Sequence, residues 1–492
     1  MSADTTQVVQ ALKSYIDNRF TRSILRRFAS KCKRDGKSRL EVALELYSGV
    51  RDEACFFCKH VAHPLVSRVI SRSGEAFGAS EQAMKEKFKD PYWRRGLVSV
   101  IKGIVKYGVR RPFTPGAPFL IVWDITARCN LRCKHCYSTA GKPLPNELST
   151  EEALKVVEDL ADMGVAAIAF SGGEPLLRPD FFEIVKATRD SGIFPALATN
   201  ATLITKEMAR KLKEAGVGFV QISLDGANAA THDSFRGVEG AFEKTLAGIR
   251  NSVDEGLFVE VSCTITRFNL NELDQILDLC EKLRVNWFMM FNFVPTGRGR
   301  FIMENDLSPL EREEVLRKLW SRLRNPSELT VLSTAPQFAR VALQTETLED
   351  VEVVPTHFYN MSLPGRLKGL SEFVGGCGAG RVYASIEPEG QIQPCVFFPL
   401  TVGNVREEPF SEVWDTNQVF WDLRDREKLK GSCGSCKYKY VCGGCRARAY
   451  GYFGDYLAPD PGCINNLEYW RRLTQEYGVG AQLYLTPSSP PP

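Results

Sequence analysis

Cys129, Cys133 and Cys136 lie in the phrase ARCNLRCKHCYS, a C-x3-C-x2-C spacing with Tyr137 directly after it. Three thiolates on one loop can bind three irons of a [4Fe–4S] cube and leave the fourth iron without a protein ligand. An open iron position is what catalysis needs, as at open zinc sites. The alternative is a closed zinc site with His135 as fourth ligand. A second set, Cys377, Cys395, Cys433, Cys436, Cys442, Cys445 and Cys463, includes the run C-x2-C-x5-C-x2-C. Seven thiols in so short a segment are a metal signal, and two structural zinc ions are one reading of it. A third set, Cys55-x2-Cys58-x-His60-x2-His63 with Cys32 upstream, offers Cys55, Cys58 and His63 to a further metal. Chance placement on a helix is its alternative. Cys263 and Cys280 are isolated and read as core.

The chain around these residues has 492 residues, 44% apolar and 25% charged, which suits two to four globular domains and excludes whole-chain disorder. No apolar run approaches the roughly 20 residues a helix needs to cross a bilayer. The N-terminus MSADTTQVVQALKSYIDNRF is polar and lacks the apolar core of a signal peptide. Fifteen cysteines without such a signal argue against a disulfide framework, for metal or redox chemistry, and for a cytoplasmic location. Residues 1–115 carry 23 Lys and Arg against 11 Asp and Glu, a net +12, so the remainder of this +4 chain is net −8. A basic piece of this kind suggests an anionic partner.

Spacing of apolar residues predicts helices over 7–29, 40–48 and 93–111, and a loop over 74–80. From about Pro118 the pattern changes to short apolar strands at 119–125, 166–170, 195–199, 219–223, 258–265 and 286–292. Helices separate them, at 179–191, 204–215, 239–254 and 271–283, with the first started at Ser149-Thr150-Glu151-Glu152. Alternating strands and helices predict parallel βα units, here a partial (β/α)6 barrel of the TIM type within an α/β fold. In such a barrel Cys129, Cys133 and Cys136 follow the first strand, at the end where barrel enzymes place chemistry. The expected domains are a basic helical piece (1–115), the barrel (116–300), a connecting segment (301–374) with a helix over 307–323, a small cysteine-rich domain (375–480) stapled by metal, and a disordered tail (481–492).

The C-x3-C-x2-C loop with Tyr137, after strand one of a βα series, resembles the radical S-adenosylmethionine superfamily. Ser171-Gly172-Gly173-Glu174-Pro175 after strand two is similar to the family's GGEP motif. The resemblance implies that a catalytic [4Fe–4S] cluster on Cys129, Cys133 and Cys136 binds S-adenosylmethionine at its open iron. Reductive cleavage then gives a 5′-deoxyadenosyl radical that abstracts a substrate hydrogen. It further implies cofactor contacts from Tyr137, Gly172, Gly173, Glu174, Thr199, Asn200, Ser223 and Asp225. Thr264, Thr266, Val294-Pro295-Thr296-Gly297 and Arg236 are further candidates to face the ligand. Loop capping is the alternative for Ser223 and Thr199, and a solvated surface arginine for Arg236.

The C-terminal set resembles the SPASM extension of such enzymes, which holds two auxiliary iron–sulfur clusters. That resemblance implies a distal cluster on Cys433, Cys436, Cys442 and Cys463 and a proximal one on Cys377, Cys395 and Cys445. Tyr383 stands near the place where many members have a further cysteine. The phrase CGGCRARAY (442–450) resembles the branch that matures modified tetrapyrroles. The expected function is therefore oxidative, anaerobic modification of a peptide, a peptide-derived cofactor or a tetrapyrrole, with ferredoxin or flavodoxin as electron donor. Radical C–C bond formation on membrane lipids and a non-catalytic metal scaffold are the rival readings. The run 93–111 has six basic residues and an apolar face with Leu97, Ile101, Ile104 and Val105. It suits either peripheral membrane contact or packing on the barrel. No nucleic-acid-binding motif accompanies the charge, so no nucleic-acid partner is expected.

Overall fold

The computed structural model describes residues 19–76, 80–324, 329–345 and 373–476. The expected tail (481–492), the start of the helix expected over 7–29, residues 77–79 of the expected loop and 346–372 of the connecting segment lie outside the described residues.

Six strands form the expected series: β1 (Leu120–Thr126), β2 (Ala167–Gly172), β3 (Phe194–Thr199), β4 (Phe219–Ser223), β5 (Phe258–Ile265) and β6 (Trp287–Asn292). They pair in parallel in chain order. Helices pack on them through residues such as Val157, Ile184, Leu212, Ile249 and Ile276, all buried in one core with Trp123, Phe170 and Phe181. Both faces of the strands are covered, which is why they read as continuous apolar runs. The predicted helix start is a capping box: Ser149 Oγ accepts from Glu152 N at 3.2 Å, and Glu152 Oε2 accepts from Ser149 N at 2.8 Å.

The sheet is larger than the sequence suggested. β7 (Thr330–Ser333), from the stretch read as a connection, adds in parallel to β6. β8 (Tyr383–Ile386), from the cysteine-rich segment, adds in parallel to the other edge at β1, and β9 (Gln391–Gln393) and β10 (Gly403–Asn404) follow antiparallel. The order is β10-β9-β8-β1-β2-β3-β4-β5-β6-β7. The cysteine-rich segment is thus built onto the barrel edge nearest the Cys129 loop.

The run 93–111 forms the helix Pro91–Tyr107. Leu97 and Ile101 face a small core of Leu40, Leu44, Tyr47, Val66, Phe88 and Val98. Arg95 is only 7% exposed and donates to Ala161 O, Val165 O and Ser191 O at 2.6, 2.8 and 2.9 Å. These carbonyls end barrel helices, where a cation is favoured. The helix therefore packs on the barrel, with Ile104 buried and Leu97, Ile101 and Val105 half-buried. Among the described residues no helix is long and apolar enough to cross a membrane.

One strand residue makes stability depend on pH. Glu260 in β5 is 3% exposed; burial pushes its carboxyl up to about 8, which the donor Gln221 Nε2 at 2.9 Å offsets only in part. A raised acid pKa means that the folded protein holds a proton the unfolded chain releases. The contribution is complete below the ordinary carboxyl range and is lost as pH rises toward 8. The loss is at most about 1.4 kcal/mol per pH unit. Glu260→Gln should therefore gain stability relative to the parent between pH 5 and 8, read as the difference in thermal midpoints. Parallel midpoints across that range would count against a proton held by Glu260.

Candidate active site

β1 ends at Thr126, and the next loop carries Cys129, Cys133 and Cys136, which gather with Leu131, Val238 and Ala241. Two other loops press this one into place. Gly173 N and Glu174 N donate to Thr126 O and Arg128 O, both at 2.8 Å. A Cβ on Gly173 would stand 2.1 Å from Arg128 O. The second glycine of the GGEP phrase is therefore required by close approach to the cysteine loop, a role the sequence assigned to ligand approach. Gly297, at φ +56, would likewise place a Cβ 2.2 Å from Tyr137 O. Beside it Arg298 straps the loop, donating from N to Cys136 O at 2.8 Å, from Nε to Cys133 O at 2.9 Å and from Nη1 to Ala140 O at 2.7 Å.

Arg236 is buried, not solvated. Its Nη2 lies 2.5 Å from Asp225 Oδ2, and its Nη1 donates to Cys133 Sγ at 3.7 Å. Asp225 is fully buried; its Oδ1 accepts from Thr264 N at 2.8 Å, and His135 Nε2 lies 3.3 Å from its Oδ2. The carboxylate is therefore committed to supporting the cysteine loop. His135 stacks on Phe235 with ring centroids 4.1 Å apart, and burial holds its imidazole down near 4. A neutral His135 turned to Asp225 is not placed to close a zinc site.

Glu174, Thr199 and Asn200 come together. Glu174 is fully buried and accepts from Thr199 Oγ1 at 2.8 Å and Asn200 N at 2.9 Å. Burial pushes its carboxyl up to about 7 against these donors. Tyr137 Oη donates to Asp124 Oδ1 at 3.2 Å and lies 2.9 Å from Ser171 Oγ. Ser223 ends β4, half-buried. Thr266 is fully buried and its hydroxyl accepts from Phe268 N at 3.3 Å, which caps the turn after β5.

The second set is buried or half-buried throughout. Cys377, Cys395 and Cys445 share one apolar cluster with Tyr383, whose Oη donates to Cys395 Sγ at 3.0 Å. Cys433 Sγ accepts from Asp460 N at 3.4 Å and Asn466 Nδ2 at 3.7 Å. Burial, and then the charges of Cys463 and Cys433, push the Cys442 thiol up. Cys436 is half-buried and accepts from Tyr438 N at 3.4 Å. Cys377 N donates to Cys442 O at 3.1 Å, which joins the two groups.

One tetrahedral ion with bonds of about 2.3 Å holds its thiolates about 3.8 Å apart. Among the described residues, no three of these ten cysteines place their sulfurs within 4.8 Å of one another.

Some participants were missed. Asp124, fully buried, and Glu387, half-buried, lie near Tyr137; desolvation pushes both carboxyls up, and the charge of Asp124 pushes Glu387 further. A lone acid inside the strand FLIVWDI was the available signal for Asp124. Arg298, and Phe397 and Phe291, had none. Tyr137 meets Phe397 edge to face at 5.0 Å, and Phe397 meets Phe291 at 6.0 Å. Through this half-buried aromatic contact the Cys129 loop meets the segment that carries Cys395.

Residues 123–280 match the sequence profile of the Radical SAM superfamily, and residues 377–437 that of an iron-sulfur cluster-binding domain, SPASM. An AdoMet-dependent heme synthase of Methanosarcina barkeri is 41% identical over 71% of this chain and 97% of its own length. A pre-heme d1 synthase of Dinoroseobacter shibae is 35% identical over 70% and 85%, and a mycofactocin maturase of Mycobacterium tuberculosis 32% over 71% and 83%. The structure of Streptococcus suis SuiB bound to S-adenosylmethionine superposes with a TM-score of 0.59 at 17% identity, covering 86% of this chain and 92% of that one. At that identity the likeness speaks for the fold alone.

Proposed function

Because the chain belongs to the radical SAM superfamily and is an enzyme with that family's SPASM extension, we propose that it oxidises a side chain of a tetrapyrrole. The observation that carries this reading is the aromatic cluster of Tyr137, Phe397 and Phe291, which joins the Cys129 loop to the segment carrying Cys395. The rings meet edge to face, so a flat conjugated ring would stack on the face of one of them and meet the edges of the others. Relatives named for heme, pre-heme d1 and Fe-coproporphyrin III synthesis support the same substrate class.

In this proposal Cys129, Cys133 and Cys136 hold a [4Fe–4S] cluster with one open iron. Cys377, Cys395 and Cys445 hold a proximal cluster, and Cys433, Cys436, Cys442 and Cys463 a distal one. The catalytic cluster and S-adenosylmethionine, when bound, supply one-electron reductive cleavage and hydrogen-atom abstraction, with a ferredoxin or flavodoxin as donor. The chain's residues do the rest. Arg298, Gly173 and Gly297 fix the cysteine loop. Glu174, held by Thr199 and Asn200, presents an acceptor to the amino group of S-adenosylmethionine. Arg236 sets positive charge beside Cys133. The aromatic cluster orients the ring and excludes water from it. Asp124 and Glu387, whose carboxyls burial pushes up, flank Tyr137.

The test is an anaerobic assay of the reconstituted chain with S-adenosylmethionine, dithionite and iron coproporphyrin III, followed by mass spectrometry. A porphyrin of altered mass, with 5′-deoxyadenosine formed in step, is expected. An unchanged porphyrin beside a modified peptide in a parallel assay would move the reading to peptide maturation. Phe397→Ala should uncouple the reaction: S-adenosylmethionine is still cleaved, while product per 5′-deoxyadenosine falls about tenfold, since stacking on one ring contributes about 1–1.5 kcal/mol. Tight coupling in this variant would remove the aromatic cluster from the substrate site.

A further inference from the structure

The N-terminal domain contains a cluster of donors that the chemistry above does not use. Its first half is a tight hairpin. Lys31 bridges Ser38 antiparallel, Cys32 N donates to Lys37 O at 2.7 Å, and Gly36 N donates back to Cys32 O at 2.9 Å. Gly36, at φ +74, makes the turn that glycine favours. The hairpin sets Cys32 and Asp35 on one side, three residues apart. The second half is the start of the helical stretch that leads into His63–Ala76, with Cys55 just before it and Cys58 in its first turn.

The halves meet at close range. Cys32 Sγ lies 3.6 Å from Cys55 Sγ, Cys55 N donates to Asp35 Oδ1 at 3.0 Å, and Cys58 N donates to Cys55 Sγ at 3.5 Å. Donor atoms of Cys32, Asp35, Cys55 and Cys58 all lie within 4.8 Å of one another. Cys32 is 5% exposed, Cys58 is fully buried, and the Asp35 side chain is 7% exposed. Asp35 Oδ2 is buried there without a hydrogen-bond partner. A buried carboxylate oxygen left unpaired costs free energy unless something binds it.

We propose that Cys32, Asp35, Cys55 and Cys58 hold one tetrahedral zinc ion. The 3.6 Å sulfur separation matches the edge of about 3.8 Å expected around one ion with 2.3 Å bonds, and is too short for sulfurs spread around a cubane. Three soft thiolates and one carboxylate select zinc over calcium or magnesium. Their charge of −4 becomes −2 with the ion, and Arg51, 3.6 Å from Asp35 Oδ1, meets what remains. The site differs from the one the sequence suggested. His63 is not in the donor group, and His60 is exposed and packs at a tilt against Phe56, with ring centroids 4.9 Å apart. Asp35 and Cys32 take their places. The ion would tie the hairpin to the helix His63–Ala76 and so hold together the small core against which the helix Pro91–Tyr107 packs.

The experiment uses the full chain, purified anaerobically from medium containing zinc and iron without chelators. Elemental analysis should find one zinc per chain, retained in Cys133→Ser and lost in Cys55→Ser. Asp35→Cys, which keeps four ligands, should retain it even if Cys55→Ser does not fold. After removal of the zinc, Co²⁺ should give thiolate-to-cobalt charge-transfer absorption in the parent and in Asp35→Cys. No zinc and no cobalt absorption in the parent would overturn the proposal. So would one full zinc equivalent in folded Cys55→Ser, or a Cys32–Cys55 disulfide found by mass mapping in the metal-free parent.

Discussion

Cys133→Ser, assembled with iron under anaerobic conditions, forms no 5′-deoxyadenosine from S-adenosylmethionine and loses about four irons per chain. Cys133 is the most enclosed of its three, at 8% exposure, between Leu131 and Ala241, with Arg236 Nη1 on its sulfur at 3.7 Å. Serine fits the space, so the loop stays packed by Arg298 and Gly297 and the fold is preserved. Only the ligand is lost. Because every turnover begins with reductive cleavage, the loss is at least about a thousandfold, more than 4 kcal/mol of barrier. Iron on the seven C-terminal thiols should remain, as should the ultraviolet circular dichroism. Undiminished 5′-deoxyadenosine would mean that the catalytic cluster sits elsewhere.

Arg448→Met costs about 3–5 kcal/mol of stability and releases auxiliary iron. Arg448 is fully buried; its Nε donates to Asp460 Oδ1 at 2.9 Å and its Nη1 to Asn292 Oδ1 at 3.0 Å. Asp460 in turn accepts from Cys445 N at 2.7 Å, and its own N–H donates to Cys433 Sγ at 3.4 Å. Asn292 ends β6 and accepts from Arg312 Nη1 at 2.8 Å, while Arg312 Nη2 lies 2.5 Å from Asp306. Tyr452 Oη donates to Asp306 Oδ2 at 2.9 Å. The barrel and the cysteine-rich segment thus share one buried polar network, and methionine leaves Asp460 charged without its main partner. Breaking a buried pair in this way is far costlier than replacing both partners, and the loss is a large part of a domain's usual 5–15 kcal/mol. Urea unfolding with iron analysis reads it. Arg448→Lys, which keeps the charge and loses the fork, should fall between. An unchanged midpoint in Arg448→Met would mean that this network does not carry the interface.

Local patterns in the sequence were enough for β1 to β6 and for the family's chemistry. C-x3-C-x2-C, GGEP and the C-terminal thiols announce themselves by spacing, because their ligands lie on single loops. β1 to β6 announce themselves by apolar runs alternating with helical periods. β7 and β8 did not, since each has four residues and its place depends on an open sheet edge far away in sequence. Arg446 and Arg448 read as part of a phrase, and their partners could not be seen. Arg446 donates to the carbonyls of Tyr456 and Ala458 at 3.0 and 2.7 Å, and Arg448 reaches across to Asn292.

By itself the sequence determined which chemistry this protein carries: thiolates at iron-binding spacings, on loops after strands, in an α/β chain. Short-range spacing and periodicity survive in one dimension, because neighbours on a loop or helix face stay neighbours in the fold. Only the tertiary structure decided which distant residues share a site. It brought Asp35 to Cys55, turned His135 and Arg236 onto Asp225, pressed Gly173 onto the cysteine loop and set Phe397 beside Tyr137. Those contacts follow from sheet order and from the requirement that buried charges find partners, and neither is written in local spacing.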